Sequence, residues 1–206
     1  MCKLTENSFR DVNIAFANEL SMICDKLNIN VWELIQLANR HPRVNILQPG
    51  PGVGGHCIAV DPWFIVASAP DEARLISTAR QVNDHKPEWV IDKVLAAAKS
   101  LQKPTVTVAC LGLAFKPNID DLRESPSLDI TRKLAQHALL NVLAVEPNVK
   151  AEEFKDDVIV LHELDDALIK ADIVLVLVDH DAFKGISLSV IKGKTLIDTR
   201  GLFDVV

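Results

Sequence analysis

No apolar run in the 206 residues reaches the length of a membrane-spanning helix, and the opening stretch MCKLTENSFR carries no apolar signal core. A soluble, cytoplasmic chain is the expectation from those two absences. An excess of positive charge is also lacking: 22 Lys and Arg stand against 28 Asp and Glu, for a net charge of −6. That balance argues against a nucleic-acid or anionic-membrane surface, although not against a local basic pocket for a small anion. The four cysteines form no CxxC pair and the histidines no cluster at ligand spacing, so neither a metal site nor a disulfide framework is expected. There is no internal repeat and no low-complexity tract. A dinucleotide fingerprint is missing as well. Such a loop must follow a strand and open a helix, whereas GPGVGGH (50–56) follows ILQP in helical surroundings. CLGLAFKPN, at the end of a strand, has one of the three glycines.

What is present divides near Pro104. Before it the chain reads as helical. Leu4, Ile14, Leu20, Ile23 and Leu27 form an apolar stripe over residues 3–27, and Asn30 caps a helix over 31–39 with Glu33 at the capping-box position. A Pro/Gly-rich loop runs from His41 to Cys57. Asp61-Pro62 then reads as an N-cap with proline at the first helical position, ahead of WFIVAS. Residues 71–101 read as helix, interrupted at Pro87. After Pro104, β-branched runs at TVTVACLG, NVLAVEP, VIVL, IVLVLVD and TLIDTR alternate with helical patterns at 128–137 and 165–170. Strands so uniformly apolar are covered on both faces. The expected architecture is α/β: an all-helical N-terminal segment (1–103), then a Rossmann-like, doubly wound parallel sheet domain (104–206).

Cys24 falls in a helical pattern and Cys110 in an apolar strand, so both read as small buried hydrophobes. Cys57 differs, because it follows glycines that let backbone approach a ligand closely. A thiol there, near a helix N-terminus, suits a nucleophile; a small residue packed under a glycine turn is the other reading. His56 points to the opposite side of a locally extended chain and reads as structural. Asp61 reads first as a helix cap. If helix begins nearer Cys57, Asp61 stands at i+4 from the thiol and becomes its electrostatic partner or a general base. Lys3, Asn7 and Arg10 share one face of the first helix, either as a solvated face or as a site for an oxyanion or hydroxyl. Phe115, Lys116, Arg123 and Glu124 lie after the first strand and Arg200 after the last, at the strand edge where doubly wound folds bind ligands. Two arginines and a lysine there make an anion site.

Taken together, KLTEN, FANEL, GPGVGGHCIAVDP, LGLAFKPNIDDLRESPS and the closing DTRG resemble the UDP-sugar 6-dehydrogenases over nearly the whole chain. GGHC followed by VDP looks like the N-acetylhexosamine branch, and the stretch NRHPRVNILQPGPGVGGHCIAVDPWF looks most like enzymes acting on UDP-N-acetyl-D-mannosamine. Many relatives carry proline where this chain has Ala59. The resemblance implies an NAD-dependent enzyme of three parts: an N-terminal dinucleotide-binding domain, a central helical segment that forms a homodimer, and a UDP-binding α/β domain. This sequence is similar to the last two, so it reads as the C-terminal half of a dehydrogenase, inactive alone. By matching position, Cys57 would be the nucleophile that takes up the C6 aldehyde. Lys3 and Asn7 would stabilise charge on the C6 oxygen, and Asp61 would assist Lys3 or the hydrolytic water. Arg10, His41, Arg43, Gly54, Phe115, Lys116 and Arg200 would contact the UDP-sugar, and Arg123 the nicotinamide dinucleotide. The competing readings are a UDP-sugar-binding dimerisation module without catalysis, and a thiol hydrolase using Cys57 with His56 or His41.

Overall fold

The computed structural model describes residues 1–203, so the last three residues of the expected second domain lie outside the described residues. The chain forms two compact units, Met1–Lys86 and from Pro87 onward.

The first unit is helical: α1 (Cys2–Leu27), α2 (Val31–Ala38), α3 (Asp61–Ser68) and the first part of α4 (Arg74–Ser100). The 26 residues of α1 contain no glycine or proline, and Asn28 ends the helix in the left-handed conformation (φ 55°), its N–H bonding the Asp25 and Cys24 carbonyls. The buried face of α1 is not the apolar stripe read from the sequence. Ser8, Asp11, Ala15 and Asn18 point inward, while Ile23 and Leu27 are exposed. The reason is a polar network towards α4. Asp11 Oδ1 accepts from Arg80 Nη1 (2.6 Å) and Asn83 Nδ2 (2.8 Å). Asn18 Nδ2 donates to Asn83 Oδ1 (2.9 Å). Asn18 Oδ1 also accepts from the Gly50 N–H (2.9 Å), which pins the start of the Pro/Gly-rich loop. Burial raises the Asp11 pKa, and the Arg80 charge and the hydrogen bonds from Asn83 and Arg80 only partly offset that rise.

Helix α4 runs through Pro87 without a break, contrary to the interruption expected there. Proline does remove the N–H that the Asn83 carbonyl would otherwise receive. The two compact units divide at that residue, inside α4, rather than after the helix. From Val90 onward the helix belongs to the second unit, because Val90, Ile91, Val94 and Ala98 pack on the sheet.

The second unit is a parallel sheet in the order β2-β1-β3-β4, from β1 (Val106–Leu111), β2 (Leu140–Val145), β3 (Ile173–Val176) and β4 (Thr195–Asp198). Val106, Val108 and Cys110 point to one face, against α4 and α5 (Pro126–Ala135). Ala109 and Leu111 point to the other, against α6 (Leu164–Lys170) and α7 (Leu188–Ile191). The doubly wound reading therefore holds. Burial pushes the Cys110 thiol up to about 12, as befits a core residue. The expected strand VIVL does not form. Asp156 Oδ1 accepts the N–H groups of Val158 and Ile159, and the segment makes a single bridge, Ala144 to Leu161. A carboxylate thus takes the donors that a ladder needs, and only Ile159 is buried with Leu113 and Leu128.

The strand order reverses between β1 and β3, and the crossing there requires Gly112. Its φ is +91°, and a Cβ added to it lies 2.4 Å from Val178 Cβ. Gly112→Ala is expected to lower unfolding stability by about 2 kcal/mol or more in urea titration. Val178→Ala should not rescue it, because the nearest atom is the Cβ that alanine keeps.

Candidate active site

In the first unit, glycine and helix geometry present the thiol. Gly55 takes φ 85°, a turn that other residues resist. The Cys57 carbonyl then accepts the N–H groups of Val60 (3.1 Å) and Asp61 (2.8 Å), so one helical turn precedes α3. Cys57 and Asp61 accordingly stand at i and i+4. Asp61 is the first residue of α3 and Val60 occupies the cap position without a side-chain cap bond, so the reading of Asp61 as N-cap is overturned. Its buried carboxylate reaches across to α1 instead. Oδ2 accepts from Asn7 Nδ2 at 2.6 Å and lies 3.3 Å from Lys3 Nζ. The hydrogen bond and charge of Asp61 raise the Lys3 pKa above the ordinary lysine value, and the charge of Cys57 adds to the rise. Lys3, Asn7, Cys57 and Asp61 therefore form one cluster, with the sulfur exposed and not sealed in packing.

Such a cluster can do specific chemistry. An exposed thiol offers a covalent hold on an electrophilic carbon. The ammonium and the amide, one helical turn apart, can share their donors with an oxyanion. Arg10 is exposed one turn further along α1, and His41 and Arg43 are exposed in the turn after α2, where the Arg43 N–H bonds His41 Nδ1 at 3.3 Å. Gly54 is half-buried in the glycine run. Among the described residues no hydrogen bond or ion pair joins these four to the thiol cluster, and His56 is exposed.

In the second unit, the residues named from the sequence lie beyond the C-terminal ends of the strands. Lys116 Nζ sits over the Phe115 ring, 5.8 Å from its centroid, in the loop after β1. Arg200 follows β4, and its Nε donates to Asp179 Oδ1 at 2.7 Å. Arg123 is exposed and bound through Nε and Nη2 to Asp121 (2.9 and 2.7 Å), whose hydrogen bonds and charge raise its pKa. Arg123 also borders a cavity of about 640 Å³, shared with Leu128, Asn148 and Phe154. Glu124 is exposed and holds φ 51°.

Sequence reasoning missed Glu146. Its carboxylate Oε2 accepts the N–H groups of Leu113 (2.7 Å) and Ala114 (3.0 Å), at the turn after β1. Dinucleotide folds present backbone donors to the diphosphate at that turn. Here an internal carboxylate takes them. The signal was available, since VEP sets an acid directly after a strand at the ligand-binding edge.

The chain matches the UDP-glucose/GDP-mannose dehydrogenase family, through its central domain over residues 1–85 and its UDP binding domain over residues 109–205. It is 60% identical over 203 residues to an NDP-N-acetyl-D-galactosaminuronic acid dehydrogenase of Ralstonia solanacearum, covering 98% of this chain and 48% of that one. It is also 60% identical over 210 residues to a UDP-N-acetyl-D-mannosamine dehydrogenase of Escherichia coli K12, covering 98% of this chain and 50% of that one. Among solved structures, the UDP-N-acetyl-mannosamine dehydrogenase Cap5O from S. aureus aligns with a TM-score of 0.84 at 44% identity, over all of this chain and 48% of that one. This chain spans about half the length of the curated relatives it matches.

Asp61→Asn is expected to return the Lys3 titration toward the ordinary lysine range, because the carboxylate is the main cause of the rise. The measurement is the pH dependence of the Lys3 signal in NMR of methyl-labelled lysines, assigned with Lys3→Arg. A Lys3 titration that ignores the substitution would remove Asp61 as its partner.

Proposed function

The chain belongs to the UDP-glucose/GDP-mannose dehydrogenase family, and from that membership we propose that it is the C-terminal portion of a cytoplasmic UDP-N-acetyl-D-mannosamine 6-dehydrogenase. The reaction is oxidation of the C6 alcohol of the sugar to a carboxylate, for use in surface polysaccharide synthesis. The observation that carries this reading is the exposed Cys57 thiol set beside Lys3, Asn7 and Asp61.

Oxidising an alcohol to an acid removes four electrons, as two hydrides, and passes through an aldehyde. Two NAD molecules, bound in turn, would each accept one hydride. This chain's donors at the turn after β1 are already taken by Glu146, which leaves Arg123 as its candidate contact to the dinucleotide and supports a cradle supplied by another domain. Cys57 adds its sulfur to the C6 aldehyde and holds it as a thiohemiacetal. Loss of the second hydride from C6 leaves a thioester on Cys57. Water then attacks the thioester carbon, releasing the acid and the free thiol. When the thiol adds to the aldehyde and when water adds to the thioester, the C6 oxygen gathers negative charge, which Lys3 and Asn7 offset by donating to it. Asp61 keeps Lys3 protonated and in place, and can take up a proton from the attacking water. In the α/β unit, Phe115, Lys116 and Arg200 serve the UDP portion. Lys116 and Arg200 supply positive charge for the diphosphate.

The Ralstonia relative, named for a galactosamine-derived product, matches at the same 60% identity, so that epimer is the second reading. The C6 chemistry is the same for both, and the hydroxyl that differs is read by pocket shape. The homodimer rests on α1, where Phe9, Phe16, Ile23 and Leu27 remain exposed at spacings of seven, seven and four. Those spacings form one apolar stripe that a second copy can cover.

Two measurements test the proposal. Iodoacetamide should alkylate Cys57 and Cys2 but spare the buried Cys24 and Cys110, and UDP-N-acetylmannosamine should slow Cys57 labelling about 10-fold at saturation. Labelling of Cys57 that the nucleotide sugar leaves unchanged would sink the assignment. In sedimentation analysis the chain should be a dimer, and Phe16→Asp should make it a monomer.

A further inference from the structure

We infer that Glu146 and His180 are positioning residues for the loop that carries Phe115 and Lys116, acting through backbone hydrogen bonds at its two ends. The inference rests on the reading above that this loop contacts a uridine diphosphate group.

Glu146 follows β2 and is 5% exposed. Every polar contact to its carboxylate is a donor. Oε2 receives Leu113 N–H (2.7 Å), Ala114 N–H (3.0 Å) and a ring nitrogen of His180 (3.2 Å). Oε1 receives Asn148 N–H (3.0 Å) and Asn148 Nδ2 (3.4 Å). Burial pushes its pKa up, yet the hydrogen bonds from His180, Leu113 and Asn148 outweigh burial and hold it below the ordinary value. The carboxylate is therefore ionised, and it can only accept.

His180 is fully buried, edge-on to Phe183 at 5.4 Å between ring centroids. Its Nε2 faces Glu146 Oε2, which has no proton to give, so Nε2 carries one. Its Nδ1 faces two donors, the Asn118 N–H (3.0 Å) and Asn148 Nδ2 (2.8 Å), so Nδ1 is bare. The neighbours thereby assign a single neutral tautomer. Asn118 itself holds φ 60°, and its side chain closes on Asp181 through two bonds of 2.9 Å. The loop is thus tied at Leu113 and Ala114 by Glu146 and at Asn118 by His180. Between the ties lie Phe115, Lys116 and Pro117. Neither tying side chain reaches solvent, so each acts on a ligand only through the loop.

The test separates the two nitrogens of His180. Asparagine keeps an acceptor near the Nδ1 position and loses the donor; glutamine keeps a donor near Nε2 and loses the acceptor. Calorimetric titration of the whole chain with UDP should show His180→Asn within about 3-fold of the parent and His180→Gln about 10-fold weaker. Amide exchange at Asn118 should be about 10-fold faster in His180→Gln and near the parent in His180→Asn. Glu146→Gln sets an amide NH₂ among donors and should speed exchange at Leu113 and Ala114 by a similar factor. Equal UDP affinity in the two His180 variants, or Asn118 exchange indifferent to residue 180, overturns the inference. If the parent chain does not bind UDP, the functional reading falls, while the exchange data still decide whether these residues hold the loop. Should the variants not fold, the nitrogen NMR spectrum of His180 in the parent decides: a proton on Nδ1 overturns the assignment.

Discussion

The Asp61 carboxylate draws to itself Asn7, 54 residues earlier in the sequence, and Lys3 one turn before that, and this attraction sets the geometry of the thiol's surroundings in the first unit. Without it the turn carrying Cys57 and the first helix have no reason to keep their polar ends together. A buried carboxylate must be met by donors, because leaving it unpaired costs several kcal/mol. The donors it finds are an amide and an ammonium one turn apart on α1. The Asn18 clamp on Gly50 works in the same sense, since it fixes where the Pro/Gly-rich loop leaves the helices. The thiol lies on a stretch held at one end by the buried Asn18 of α1 and at the other by the buried Asp61 carboxylate bonded to Asn7.

The second unit solves a comparable problem with a different carboxylate. At the strand-order reversal of a parallel sheet, backbone N–H groups emerge without ladder partners. In dinucleotide folds those donors meet phosphate. Here they meet Glu146, and the chain between them and Asn118 is closed into a short loop by His180. Gly112 makes the turn compact enough for Val178 to pass beside it. The same fold geometry therefore supports a structural anion at one turn while leaving Phe115, Lys116 and Arg200 available at the strand edge.

Several local readings failed because particular side chains captured the polar groups that those readings left free. Asp61 before proline has every mark of a cap, but capping competes with α1 for the carboxylate and loses. The apolar stripe of α1 has the period of a buried face, but the unit buries Asp11 and Asn18 because Arg80 and Asn83 meet them there. VIVL has the composition of a strand, but Asp156 captures its donors. Proline at position 87 should interrupt a helix, yet packing before and after it keeps α4 continuous. For Asp61 and for α1 a distant partner outweighs a local preference worth about 1 kcal/mol, whereas VIVL is diverted by a carboxylate only two and three residues away.

The sequence by itself determined the alternation of strands and helices after Pro104, the doubly wound class and the exceptional setting of Cys57, because periodicity, β-branching and glycine placement act over a few residues. Resemblance over whole motifs implied that Lys3 and Asn7 offset charge on the C6 oxygen and that Asp61 assists Lys3 or the hydrolytic water. Only the tertiary structure decided that Asp61 turns toward α1, that Glu146 fills the anion place after β1, and that His180 holds one tautomer. Those outcomes depend on which donors meet which acceptors across the fold, and a hydrogen bond between residues far apart leaves no periodic trace in the chain.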